Sequence, residues 1–215
     1  MATQTKFLSF ALICLLGLAG IAAGILWHRA APAIELATGS FISPSRELPD
    51  FSLIDSHGKV FGVPNLRGHW TLLFFGYTNC PDYCPTTLTT LAAMRKRLRA
   101  DGAAPLPDVV FVSVDAKRDT PAQLAKYVPK FDPDFIGLTA ADQPSIEAVA
   151  KKLGVAVSIV PAADGNYMVD HSGVIFVLNP DARVAAILTG PFGVDAVRGD
   201  FERIVAARGV LAGRT

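Results

Sequence analysis

Cys80 and Cys84 stand in the run Asn79-Cys80-Pro81-Asp82-Tyr83-Cys84-Pro85, directly after an apolar stretch at 71–77. The third cysteine, Cys14, lies inside an N-terminal apolar segment. Two thiols on one short loop can close into a disulfide or hold a soft metal, and one state excludes the other. Thiolates select Cu(I), zinc or iron–sulfur centres. Two are too few for a closed structural zinc site, which takes four ligands. Cu(I) accepts lower coordination, and one imidazole would complete a three-ligand site. Each cysteine precedes a proline, which disfavours the α conformation there. An irregular loop is therefore expected up to Cys84, with a helix opening at Pro85. The unpaired N–H groups and partial positive charge of a helix start favour thiolate over thiol, so a depressed pKa is expected at Cys84.

The chain has 4 histidines. His28 abuts the apolar segment, His57 sits in a turn signal, and His69 precedes Trp70 at the entry to the 71–77 stretch. His171 lies in Val169-Asp170-His171-Ser172-Gly173. A lone histidine in such surroundings reads first as structural, although Asp170 is a candidate to orient its ring. Asp115, Arg118 and Asp119 fall at the end of another apolar run, where a local ion pair is the simpler reading and a supporting role for Asp115 the sharper one. Met168 is a weak soft donor whose strand context favours packing. Arg95-Lys96-Arg97 reads as the solvated face of a helix.

The elements that must position these residues alternate between strand and helix. Apolar runs at 71–77 and 108–114 read as strands covered on both faces. Short strands are expected at 51–54, 60–63, 136–138, 155–160, 167–169, 174–178 and 184–188, several of them paired across turn residues. Helices are expected from Pro85 over about 15 residues, after the Thr120-Pro121 start signal, over 144–153 with a stop at Gly154, and over 194–208. This is an α/β fold with a central sheet flanked by helices and added N-terminal and internal hairpins. The cysteines fall at the carboxyl end of a central strand, where such sheets gather their sites.

A net charge of +1 on 215 residues gives no reason to expect nucleic acid as a partner. Residues 7–27 carry no charge, long enough for a membrane helix and longer than a signal-peptide core. An uncleaved anchor over 1–29 is expected, because Ala31-Pro32-Ala33 is a poor cleavage site. The few residues before the span leave no room for a mitochondrial presequence, so a bacterial protein is expected. Residues 30–47 read as linker and 48–215 as one domain.

Four stretches occur in order: Gly76-Tyr77-Thr78-Asn79-Cys80-Pro81-Asp82-Tyr83-Cys84-Pro85, then Val112-Ser113-Val114-Asp115-Ala116-Lys117-Arg118-Asp119-Thr120, then Gly137-Leu138-Thr139, then Tyr167-Met168-Val169-Asp170-His171-Ser172. Spread over most of 48–209, they resemble the Sco/SenC family of membrane-anchored copper chaperones with a thioredoxin-like fold. One departure is Ala116, where the family carries proline. The resemblance implies that Cys80, Cys84 and His171 bind copper, which reverses the structural reading of His171. It also implies a single anchor in the bacterial inner membrane with the domain in the periplasm. The implied task is to deliver copper to, or reduce the thiols of, the dinuclear copper centre of cytochrome c oxidase subunit II. Partners would be that subunit or its assembly factors and a copper donor protein, with copper carried as Cu(I) or Cu(II). The alternative is a thiol–disulfide oxidoreductase acting on periplasmic partner cysteines, which needs a redox disulfide between Cys80 and Cys84 but not His171.

Overall fold

The computed structural model describes residues 15–17, 20, 34–102, 105–161 and 166–212. The chain forms two units, Met1–Ile34 and Glu35–Thr215. Most of the expected span at 7–27 lies outside the described residues. Among the described residues no helix is long and apolar enough to cross a membrane.

Glu35–Thr215 is built on an eight-stranded mixed sheet of order β1-β10-β9-β4-β5-β6-β2-β3. At its centre β4 (Thr71–Gly76) is buried at every residue. It runs parallel to β5 (Asp108–Ser113) and antiparallel to β9 (Ile175–Leu178). β5 pairs parallel with β6 (Ile136–Thr139). The hairpin of β2 (Ser52–Asp55) and β3 (Val60–Gly62) closes that edge, and Gly58, at φ +78°, makes its turn. A separate two-stranded hairpin, β7 (Val157–Pro161) and β8 (Tyr167–His171), carries the last histidine.

Among the described residues four helices flank the sheet: α1 (Tyr83–Ala100), α2 (Pro121–Tyr127), α3 (Gln143–Lys152) and α4 (Val194–Ala212). α1 turns Leu88, Leu91, Met94 and Leu98 inward at helical spacing and packs on α4. Thr120 caps α2 by accepting from the Gln123 N–H, as its sequence signal implied.

Three readings of the sequence change. Residues 30–47, expected to be linker, contain β1 (Gly39–Glu47), paired antiparallel with β10 (Arg183–Leu188) at the sheet edge. Its register slips between Phe41 and Arg46, so it shows no clean alternation. Buried Asp200 holds the approach to it, accepting hydrogen bonds from Ala37 N (2.8 Å), Thr38 N (2.7 Å) and Thr38 Oγ1 (2.7 Å). Next, α1 starts at Tyr83 rather than Pro85. The first turn of a helix leaves its N–H groups unpaired in any case, so proline there costs no bond. Last, Arg95 is not on a solvated face. It is buried and bonds Asp132 at 2.8 Å beneath the Phe135 ring.

Arg95 and Asp132 are exposed by only 3% and 9%, whereas Arg97 and its partner Asp195 are exposed by 48% and 87%. Arg95→Ala, which strands a buried carboxylate, is expected to lower the unfolding free energy by about 3 kcal/mol. Arg97→Ala is expected to cost less than ~1 kcal/mol. Urea unfolding of the two variants measures the contrast, and equal losses would contradict the burial of the Arg95 pair.

Candidate metal centre

Where β4 ends, the chain turns through Tyr77-Thr78-Asn79-Cys80 and enters α1. Gly76 permits the turn's packing: a Cβ there would lie 2.6 Å from Phe111 Cε2 and 2.9 Å from Cys84 Sγ. Asp119, fully buried, anchors the turn from the side. Its carboxylate accepts from Thr78 N (2.8 Å), Thr78 Oγ1 (2.6 Å) and Ser113 Oγ (2.6 Å). Burial lifts this carboxyl above its ordinary range, and those three bonds oppose the rise. The Cys84 N–H, one of the unpaired donors of the helix start, points to Cys80 Sγ at 3.4 Å.

His171 ends β8. Its ring stands edge-on to Tyr77 (centroids 6.1 Å apart) and to Phe74 (6.3 Å). Nδ1 lies 3.2 Å from the Ser172 carbonyl oxygen. A carbonyl can only accept, so Nδ1 carries the proton and Nε2 keeps its lone pair. Nε2 lies 3.7 Å from Cys84 Sγ, joining residues 87 positions apart. Burial also pushes the His171 pKa down, which keeps the ring neutral.

The two thiols are free and differ in surroundings. Cys80 is partly exposed and lines a cleft of about 560 Å³ with Tyr77, Tyr83, Met168 and His171. Cys84 has no exposed surface. The depressed pKa expected there does not occur. Burial drives the Cys84 thiol well above its ordinary value, outweighing the hydrogen bond from the Tyr77 backbone. Cys84 is in the first helical turn, but a dry sulfur loses more by giving up water than a helix terminus returns.

Asp170 differs from expectation, whereas Asp115 forms the local ion pair that was its simpler reading. Asp170 does not hold the His171 ring; the Ser172 carbonyl does, and Asp170 is exposed. The buried Asp115 carboxylate is engaged by Arg118, as an ion pair, and by Tyr167, whose hydroxyl donates to it at 2.7 Å. Burial and that bond hold the Tyr167 hydroxyl protonated, with its pKa pushed up to about 12. Met168 is 49% exposed at the cleft. His57 and His69 are exposed elsewhere, the latter 3.7 Å from Asp108. His28 and Cys14 lie outside the described residues.

Tyr83 had no separate reading in the sequence. Its hydroxyl donates to the Gly173 carbonyl at 2.8 Å, tying the cysteine segment to the chain after His171. A Cβ on Gly173 would come within 2.5 Å of that hydroxyl. No local pattern pairs residues 90 positions apart. Two soft sulfurs and an imidazole with an inward lone pair thus share one site, a donor set suited to Cu(I). Among the described residues no three His, Cys, Asp or Glu side chains are already closed to metal-holding distance.

The SCO1/SenC family model matches residues 42–206. The chain belongs to the SCO1/SenC family. Protein SCO2 homolog, mitochondrial, of Bos taurus is 41% identical over 133 residues, covering 61% of this chain and 50% of that protein. The chain thus spans about half the length of that relative. A putative copper-binding protein of Stutzerimonas stutzeri is 32% identical over 165 residues, covering 77% of this chain and 80% of its own. Among solved structures, Arabidopsis thaliana ScoI with copper bound is 35% identical with a TM-score of 0.70, covering 74% of this chain and 97% of that one. Bradyrhizobium japonicum ScoI with copper bound is 34% identical with a TM-score of 0.63, covering 74% and 99%. The mixed central sheet with flanking helices is the thioredoxin-like fold of this SCO1/SenC family.

The unequal burial of the thiols has a direct consequence. With limiting iodoacetamide at mildly alkaline pH, Cys80 is expected to be alkylated well before Cys84, as read by peptide mass mapping. Gly76→Ala is expected to narrow the difference by lifting the Cys84 sulfur, at a cost of roughly 1–3 kcal/mol in stability. Equal labelling in the unaltered chain would contradict a buried Cys84.

Proposed function

We propose that this SCO1/SenC protein is a copper-binding metallochaperone whose cargo is held by Cys80, Cys84 and His171. The observation that carries the reading is the approach of His171 Nε2 to Cys84 Sγ at 3.7 Å, with Cys80 on the same short loop. Two solved relatives, from Arabidopsis thaliana and Bradyrhizobium japonicum, are described as copper-bound, and the Stutzerimonas stutzeri relative as copper-binding. Here a soft cation would take the place of the Cys84 proton: the positive charge supplies what burial denies the thiolate. Cys80, at the cleft, is the donor through which copper enters and leaves. The family resemblance extends the proposal to an anchor at residues 7–27, a domain in the periplasm, and delivery to the dinuclear copper centre of cytochrome c oxidase subunit II.

One observation supports thiol–disulfide exchange as a second reading: Cys80 is reachable and Cys84 is not. The Cys80 thiolate would attack a partner disulfide, forming a mixed disulfide and releasing one partner thiolate. Cys84 would then lose its proton and attack Cys80, releasing the second partner thiolate. Two electrons pass to the partner, and the chain is left with a Cys80–Cys84 disulfide. That disulfide excludes copper from the same sulfurs.

Copper stoichiometry of the purified full chain, reduced and oxidised, tests the first reading. About one copper per chain is expected when reduced, and little at this site when oxidised. His171→Ala is expected to weaken binding beyond the ~10–100-fold typical of groups that only support a ligand. Unchanged affinity in His171→Ala would sink the three-ligand site. For exchange, Cys84→Ser is expected to accumulate a mixed disulfide through Cys80 while Cys80→Ser accumulates none. The opposite pattern would rule out Cys80 as the attacking thiol.

A further inference from the structure

The hairpin that bears His171 is not part of the eight-stranded sheet; β7 and β8 pair with each other. A lone two-stranded hairpin is marginal in water, so the rest of the fold must hold it. The cysteines sit on the other element, at the end of β4. Whatever registers the hairpin against that element sets the distance from His171 to the two sulfurs.

Arg118 touches both sides. Its guanidinium lies 3.6 Å from the centroid of the Tyr167 ring on the hairpin and 5.8 Å from that of Tyr77, the residue after β4. Nη1 donates to the Tyr167 carbonyl and to Asn166 Oδ1, each at 3.0 Å. Nε donates to buried Asp115, which also accepts from the Tyr167 hydroxyl. Tyr167 and His171 lie four positions apart on β8, so their side chains leave the same face of the strand. The Tyr77 ring in turn stands against the His171 ring. A local ion pair would need only the contact to Asp115. Arg118 instead aims Nη1 at residues 48 and 49 positions away, and its side chain is only 18% exposed.

We infer that Arg118 is a positioning residue: it registers the β7–β8 hairpin so that His171 meets the cysteines. This rests on the copper-site reading above. Lysine cannot take over, because it lacks both the planar face for Tyr167 and the fork that serves the carbonyl and Asp115 together.

The test uses the purified full chain as wild type, Arg118→Lys, Arg118→Met, His171→Ala and the Arg118→Met/His171→Ala double variant. Arg118→Lys keeps a cation beside Asp115, so it guards against misfolding of the Arg118→Met variant. Each single Arg118 variant is expected to weaken copper binding by about 10–100-fold. In the His171→Ala background, Arg118→Met should add no more than about twofold, because the register it maintained no longer matters. Without copper, both Arg118 variants should shift or broaden the His171 imidazole resonances and leave those of His57 and His69 in place. Unmoved His171 resonances, or an equal affinity loss with and without His171, would overturn the inference. A wild type that binds copper no better than His171→Ala would instead sink the copper-site reading, while the metal-free resonances still judge the positioning role.

Discussion

A sulfur held away from water at the end of the central strand is the constraint on which this site depends. Cys84 packs where Gly76 offers no side chain, against a strand buried along its whole length. Burial makes the thiol reluctant to ionise, and it also keeps His171 neutral beside it. A neutral thiol facing an imidazole lone pair is stable without metal and ready for a soft cation with it. The same burial leaves Cys80 as the sulfur that can meet a partner. Chemistry at the site is therefore ordered by access: one donor at the mouth, one beneath it, and one supplied from across the fold.

The two halves of the site are held by different means. The cysteine segment grows out of the core: β4 leads into it, Asp119 fixes its turn, and α1 continues it. The histidine rides on a hairpin outside the main sheet, attached by side chains. Tyr83 reaches Gly173 on one side, and Arg118 with Asp115 holds Tyr167 on the other.

Most of the frame was legible in the sequence, for identifiable reasons. Continuous apolar runs marked β4 and β5, since a strand covered on both faces needs no alternation. Thr120-Pro121 marked α2 because its cap chemistry is local. β1 was missed because an edge strand with a slipped register shows no period. Arg95 was misplaced because three successive basic residues look solvated until Asp132 arrives from a distant loop. At the site, the cysteines declared themselves by type and spacing. His171 was ordinary until a family resemblance gave it weight, and Asp170 drew attention that belonged to the Ser172 carbonyl.

By itself the sequence determined the soft donors, the strand that ends beside them, the helix that follows and the family to which the motifs point. These are matters of residue type and short spacing, which act along the chain. Tertiary structure alone decided which cysteine is reachable, that Cys84 is a reluctant acid, and that Arg118 spans the two halves of the site. Water exclusion and contacts between residues tens of positions apart appear only once the chain has packed. At Cys84 that packing reversed the charge preference that the helix start alone implied.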